Sequence, residues 1–341
     1  MAIEILRSIQ TIETHTAGEP TRIIMGGVLN IKGKTINEKR NYLFNKMGGF
    51  RKFLCNEPRG HAGMAGALVM ESNRDDADFG VIFFTRMACD HMCGHGTIGV
   101  ACALIETGML EIKEPITNIT LETPGGIIKV KVIIKKGKIE EVSFIGLPSF
   151  LYKENFLINI PKFGKIKGDI AFGGGLWYFY VNSEDIGISV TPNNINKLTK
   201  LGLTIKYDFN KKYNLPHPTN DNVINKLSGI SFIGSPIKNS NANQNNVVIV
   251  GNGFYDRSPC GTGTCGRMAV LFGKNNLSIG DNFYNESITG GIFRGKIIKT
   301  VQLKKYKAII PEIAGRAHIT GFSNFILDKE DIFGYEGFLI E

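Results

Sequence analysis

The chain has 341 residues, 43% hydrophobic and 21% charged, and carries a formal net charge of +9. That composition fits a globular protein with more than one core and excludes a collagen-like or disordered chain. The lysines are dispersed among Ile and Asn, with no run denser than Lys304, Lys305 and Lys307, so no nucleic-acid partner is expected, only mild steering of an anionic substrate.

The N-terminal stretch MAIEILRSIQTIETHTAGEP lacks a basic segment followed by an apolar core, and no apolar run approaches the ~20 residues that cross a bilayer. No membrane partner is expected. Six cysteines, at 55, 89, 93, 102, 260 and 265, then point to reduced thiols in a cytoplasmic protein.

Alternating patterns predict strands at 3–13 and 21–31, with a turn through Thr16–Pro20 and a hairpin at 31–35. Gly27 and Gly33 enclose five residues where a P-loop has four, so that motif fails on spacing. Residues 38–54 have helical character, and 77–84 reads as a strand leading to a helix near 93–107. Strands at 117–123 and 127–134 follow. Gly146-Leu147-Pro148 looks like the crossover to a second half, which opens on Phe172-Gly173-Gly174-Gly175 and the aromatic strand Trp177–Val181. A helix near 193–202, a loop at 215–218, a polar surface excursion at 239–246 and a buried strand at 247–250 lead to a helix at 260–273. Strands at 292–302 and 305–310 close that half.

Two of these helices share a frame. Aligning CGHGTIGVACAL from Cys93 with CGTGTCGRMAVL from Cys260 gives six identities in twelve positions, and the copies start 167 residues apart. The repeat predicts an α/β fold of two pseudo-symmetric half-domains, each a curved sheet or barrel around a central helix. The first half is expected at 1–150 with a tail at 325–341, and the second at 151–324.

A helix N-terminus presents unpaired N–H groups and a partial positive charge, and glycines let a ligand approach the backbone closely. Such a site suits a carboxylate or phosphate and favours the thiolate of a cysteine placed there. A free cysteine is also among the most buried residue types. The repetition favours function for Cys93 and Cys260, whereas Cys55, Cys89, Cys102 and Cys265 read as packing residues. Both copies match G-x-G-x-x-G, but a dinucleotide site wants one such turn after the first strand of a parallel unit. His91, Cys93 and His95 alternate as metal ligands do, yet the second copy has no histidine, so neither metal nor cofactor is expected. His95 reads as a polar contact to substrate. Asp256 has two readings, a partner for a substrate ammonium or a local bond to Arg257 or the helix start.

With Asp256-Arg257-Ser258-Pro259-Cys260-Gly261-Thr262-Gly263-Thr264 and Met92-Cys93-Gly94-His95-Gly96-Thr97-Ile98-Gly99, the chain resembles the proline racemase family. Further matches run from Thr14–Arg22 through Glu57–His61, Ala77–Gly80 and His217-Pro218 to Ile319–Phe322. The resemblance implies a diaminopimelate epimerase-like fold with the site in a cleft, a possible homodimer, and cofactor-independent stereoinversion of proline or 4-hydroxyproline. It implies that Cys93 and Cys260 work as a thiolate and thiol on opposite faces of the α-carbon. Amides around Gly94, His95, Gly261 and Thr262 would bind the substrate carboxylate, and His95 and Asp256 its ring nitrogen. Ala65 and Val250 stand where the family places phenylalanines, which implies a roomier wall. The family's trans-3-hydroxyproline dehydratases usually carry threonine in place of the second cysteine, so Cys260 speaks against that branch. Two readings of other classes remain: a dinucleotide-dependent oxidoreductase and a non-catalytic amino-acid binding protein.

Overall fold

The chain opens with β1 (Ile5–Thr16) and β2 (Glu19–Gly26), paired antiparallel through a turn in which Ala17 and Gly18 take positive φ. The structure, a computed structural model, describes residues 5–28, 31–219 and 224–340; positions 3–4 and 29–30 of the expected strands lie outside it. β2 stops at Gly26 because the chain turns at Gly27, where φ is 82° and a Cβ would strike the Ser8 carbonyl. The expected hairpin at 31–35 is instead a helix start. Thr35 caps α1 (Ile36–Lys46), its hydroxyl accepting from the Glu38 N–H at 3.2 Å. Met47 divides the helix expected at 38–54 into α1 and α2 (Gly48–Cys55).

Next come β3 (Ala65–Met70), β4 (Phe79–Phe84), β5 (Cys89–Asp90), α3 (Gly94–Glu106), β6 (Ile116–Thr123), β7 (Gly126–Lys135) and β8 (Lys138–Ile145). The pairings β2–β3 and β4–β6 are parallel; β3–β4, β4–β5, β6–β7 and β7–β8 are antiparallel. Nearly every residue of α3 is buried, which marks it as a central helix without a solvent stripe. It packs on β1, β2, β3 and β7, and on the last strand of the chain.

The second half runs through β9 (Ser149–Ile160), β10 (Gly164–Gly173), β11 (Trp177–Asn182), α4 (Ile195–Lys212), β12 (Leu215–Pro216), β13 (Ile224–Asn225), β14 (Gly229–Gly234) and β15 (Gln244–Val250). It continues with β16 (Phe254–Asp256), α5 (Gly261–Gly273), β17 (Asn282–Ser287), β18 (Ile292–Leu303) and β19 (Tyr306–Gly315); the last strand of the chain is β20 (Ala317–Asp328). Its ladder repeats the first half with the same senses. β11–β14 and β15–β17 are parallel, while β10–β11, β14–β15, β15–β16, β17–β18 and β18–β19 are antiparallel. β9 lies antiparallel to β10 as β20 lies antiparallel to β1. The fold is therefore α/β with an internal duplication, and α5 occupies the place of α3.

The compact units are Met1–Phe144 with Arg316–Glu341, and Ile145–Gly315. These limits differ from 150/151 and 324/325 for a structural reason. β9 pairs with β10 from Ser149 onward, and β20 pairs with β1 from Ala317 onward. Each unit has its own core: Ile9, Ile24, Leu43, Phe53, Leu68 and Ile82 in the first, and Phe150, Trp177, Phe179, Leu198, Phe232 and Ile249 in the second.

Two further expectations change. The helix expected to end near 202 continues to Lys212, because Leu198, Leu201, Ile205 and Phe209 keep a buried stripe at helical spacing. The supposed surface excursion at 239–246 ends inside the unit: Gln244, Asn245 and Asn246 are buried and begin β15 alongside β17. Among the described residues no helix is long and apolar enough to cross a membrane.

Candidate active site

Each central helix is preceded by a short strand that ends on an aspartate. Asp90 sits opposite Phe83 in the β4–β5 ladder, and Asp256 opposite Val248 in the β15–β16 ladder. The chain then reaches Cys93 and Cys260, the N-cap residues of α3 and α5. Phe83 and Val248 line matching glycines. A Cβ on Gly96 would lie 2.8 Å from the Phe83 ring, and one on Gly263 would lie 3.2 Å from Val248. The two cysteines thus occupy equivalent places in their units.

Cys93 is half-buried, with an extended backbone (φ −137°, ψ 121°). Its Sγ lies 3.4 Å from His95 Nδ1 and 3.7 Å from Nε2. The Cys93 carbonyl accepts from Thr97 twice, from the amide at 3.0 Å and the hydroxyl at 2.7 Å. The Thr16 hydroxyl donates to the His95 carbonyl at 2.8 Å and holds the first helical turn against β1.

Cys260 is only 7% exposed and has a positive φ of 65° with ψ 116°, a conformation that strains any residue but glycine. A buried amide scaffold fixes the peptide ahead of it. The Pro259 carbonyl accepts from Asn246 Nδ2 at 3.0 Å, from the Thr264 hydroxyl at 3.1 Å and from Asn285 Nδ2 at 3.4 Å. Asn285 in turn accepts from Gln244 Nε2 at 3.0 Å, and Gln244 accepts from Arg267 Nε at 2.8 Å. The amides of Thr97 and Thr264 both donate to the carbonyl of their own cysteine, but the Thr97 hydroxyl joins its amide there whereas the Thr264 hydroxyl donates to the residue before.

The Cys260 sulfur faces two hydroxyls, Tyr178 Oη at 3.8 Å and Thr262 Oγ1 at 3.9 Å, which lie 2.6 Å from each other. Burial pushes the Cys260 thiol well above its ordinary range, and the Asp256 carboxylate adds to the rise. The Gly263 amide, Tyr178 and Thr262 oppose it. At Cys260 desolvation thus opposes the thiolate that the helix-terminus amides favour.

Asp256 Oδ1 accepts from the Ser258 amide at 2.8 Å and its hydroxyl at 2.7 Å, and Ser258 Oγ accepts from the Cys260 amide at 3.1 Å. Of the two readings of Asp256, this geometry supplies the local one through Ser258 rather than Arg257. Its Oδ2 makes no hydrogen bond among the described residues. Gly94 and Gly261 open their helices, so the first-turn amides, including those of His95 and Thr262, lack intrahelical partners. Val250 ends β15 and packs against the cluster of Tyr178, Val248 and Cys260. Ala65 opens β3 beside Thr21 of β2.

Neither glycine turn follows a parallel strand, since β5 and β16 both run antiparallel to their neighbours, which is not the dinucleotide-binding arrangement. Among the described residues no group of three or more His, Cys, Asp and Glu side chains is placed to hold a metal ion.

Several site residues escaped the sequence reading. Tyr178 lies within an unbroken aromatic run that gives no alternation to show which side faces the helix. One signal was present, the glycines before it. A Cβ on Gly173 would strike the Thr262 carbonyl, so that glycine admits the start of α5. Gln244, Asn246 and Asn285 carried no signal, because side-chain amides in polar stretches read as surface.

Comparison with known proteins identifies the family. A family model described as proline racemase matches residues 11–339. A proline racemase from Acetoanaerobium sticklandii is 42% identical over 98% of this chain and 99% of its own length. A trans-3-hydroxy-L-proline dehydratase from Bacillus cereus is 38% identical over 97% of each chain. The crystal structure of a hydroxyproline epimerase from Agrobacterium vitis, with bound trans-4-hydroxy-L-proline, superposes with a TM-score of 0.86. It is 28% identical in sequence and covers 98% of this chain and 96% of its own. With matching residues across nearly its whole length and the same fold, the chain belongs to the proline racemase family.

Proposed function

We propose that the protein is a cofactor-independent isomerase that inverts the α-carbon of proline or 4-hydroxyproline, with proline the first choice. The equivalent placement of Cys93 and Cys260, each at the N-cap of a central helix, carries this reading. Inversion requires one group to take the α-proton from one face and a second to return a proton to the other. Cys93 and Cys260 fill these roles in turn, one as thiolate and the other as thiol.

Loss of the α-proton builds negative charge toward the carboxylate. The amides of Gly94, His95, Gly261 and Thr262 are oriented before that charge appears and stabilise it without reorganising. His95 stands beside the Cys93 sulfur and offers a polar contact to the ring nitrogen. The remaining oxygen of Asp256 is the second partner of that nitrogen. Ala65 and Val250 leave room beside the ring for a hydroxyl or a bulkier substituent.

The dehydratase relative supports a second reading, loss of water from trans-3-hydroxyproline. Dehydration needs one base and a leaving hydroxyl, whereas a second thiol is the requirement of inversion. Incubation in D2O with L-proline and trans-4-hydroxy-L-proline separately tests the proposal. Loss of optical rotation with α-deuterium incorporation is expected for at least one. Absence of both changes with both substrates contradicts it, and release of a keto product from trans-3-hydroxy-L-proline selects the second reading.

A further inference from the structure

The two half-sites meet the same chemical demand with different groups. Cys93 is half-buried and has the imidazole of His95 3.4 Å from its sulfur. Cys260 is buried and, among the described residues, has no cation among its hydrogen-bonding partners; around it lie Tyr178, Thr262 and the Asp256 carboxylate. Of these neighbours, the ones that support an anion on that sulfur are hydroxyl and amide donors.

We infer that the Tyr178–Thr262 hydroxyl pair is a positioning device that lets the buried Cys260 carry a thiolate. The Tyr178 ring, on β11, is fully buried, and its oxygen lies 2.6 Å from Thr262 Oγ1, a short bond that fixes both hydroxyls near the sulfur. The pair holds two protons that rotate. When Cys260 is a thiol, its S–H donates to one hydroxyl. When Cys260 is a thiolate, the hydroxyls turn, one donating to the sulfur while the other keeps the bond between them. No proton leaves either hydroxyl. Burial and the neighbouring sulfur hold the Tyr178 phenol well above its usual range, so it stays a donor throughout. The titratable groups that bear on the sulfur are Asp256 on β16 and Tyr178 and Tyr180 on β11, and none of them supplies positive charge.

The inference rests on Cys260 exchanging a proton, but its test does not require turnover. The alkylation rate of Cys260 by iodoacetamide, measured at fixed pH by peptide mass spectrometry, reads its thiolate fraction, with Cys93 in the same sample as control. Tyr178→Phe keeps the ring in place and removes the hydroxyl. The expected result is about a tenfold slower alkylation of Cys260, one unit of pKa, with the Cys93 rate unchanged. Thr262→Val, which removes the partner hydroxyl from the half-buried first turn of α5, gives a second variant with the same expectation. In the racemisation assay kcat/KM falls in both directions while Cys93 reactivity holds. Unchanged Cys260 alkylation in both variants overturns the inference, whether or not either variant racemises proline. Slowed Cys260 alkylation in a protein that inverts no substrate supports the inference and counts against the proposed function alone.

Discussion

Asn246 Nδ2 donates to the Pro259 carbonyl at 3.0 Å, deep in the second unit, and both partners are shielded from water. That bond, with those from Thr264 and Asn285, fixes the peptide that places Cys260 in its left-handed conformation. Without the Asn246 bond the carbonyl keeps its other two donors, so the loss is that of one hydrogen bond, about 0.5–1.5 kcal/mol. Asn246→Ala is expected to lower stability by roughly that amount and to reduce kcat more than it raises KM. Urea unfolding and steady-state kinetics check the pair of effects.

The positive φ of Cys260 has its own signature. Glycine adopts this conformation without the strain that any Cβ brings, on the order of 1–3 kcal/mol. Cys260→Gly is therefore expected to be more stable than Cys260→Ala by about 1–2 kcal/mol, with both inactive. Equal stability of the two variants would show that the scaffold relaxes the backbone when the sulfur is gone.

Gly96 admits the Phe83 ring against the first turn of α3. A methyl group there would sit 2.8 Å from the ring and 3.2 Å from the Cys93 sulfur. Gly96→Ala is expected to cost about 1–3 kcal/mol and to displace the thiol, with inversion reduced at least tenfold. Thermal unfolding and the optical-rotation assay report the two effects.

Asp90 closes β5, and burial raises its carboxyl pKa against the opposing pull of Arg40 and His91. The folded state therefore holds the proton to higher pH than the unfolded chain does. Stability from this group is full below the ordinary carboxylate range and is lost as pH rises through its elevated folded value. Asp90→Asn is expected to raise the melting temperature at pH 7 and to flatten the decline between pH 4 and neutrality. A steeper decline in the variant would reverse the sign assigned to Asp90.

How much of this is legible in the sequence depends on whether the signal is local. The cysteine–glycine frame is local, so both central helices and their N-cap cysteines stand out before any coordinates. The duplicated ladder is foreshadowed by the repeat, while its limits depend on which strand β9 and β20 choose as partner. Gln244-Asn245-Asn246 misleads because polar residues usually face water; here Asn285, some forty residues later, accepts from Gln244, and the Pro259 carbonyl accepts from Asn246. The rise of the Cys260 thiol is likewise invisible, because it comes from the surrounding protein and not from the helix terminus that the motif announces.

The central claim is that Cys93 and Cys260 together invert one carbon. Its most direct measurement is the rotation and α-deuterium content of L-proline and trans-4-hydroxy-L-proline incubated in D2O with the native protein, Cys93→Ala and Cys260→Ala. The account predicts inversion with deuterium in the product for the native protein and a loss of at least a thousandfold in each variant. Full inversion by either variant on either substrate would contradict it.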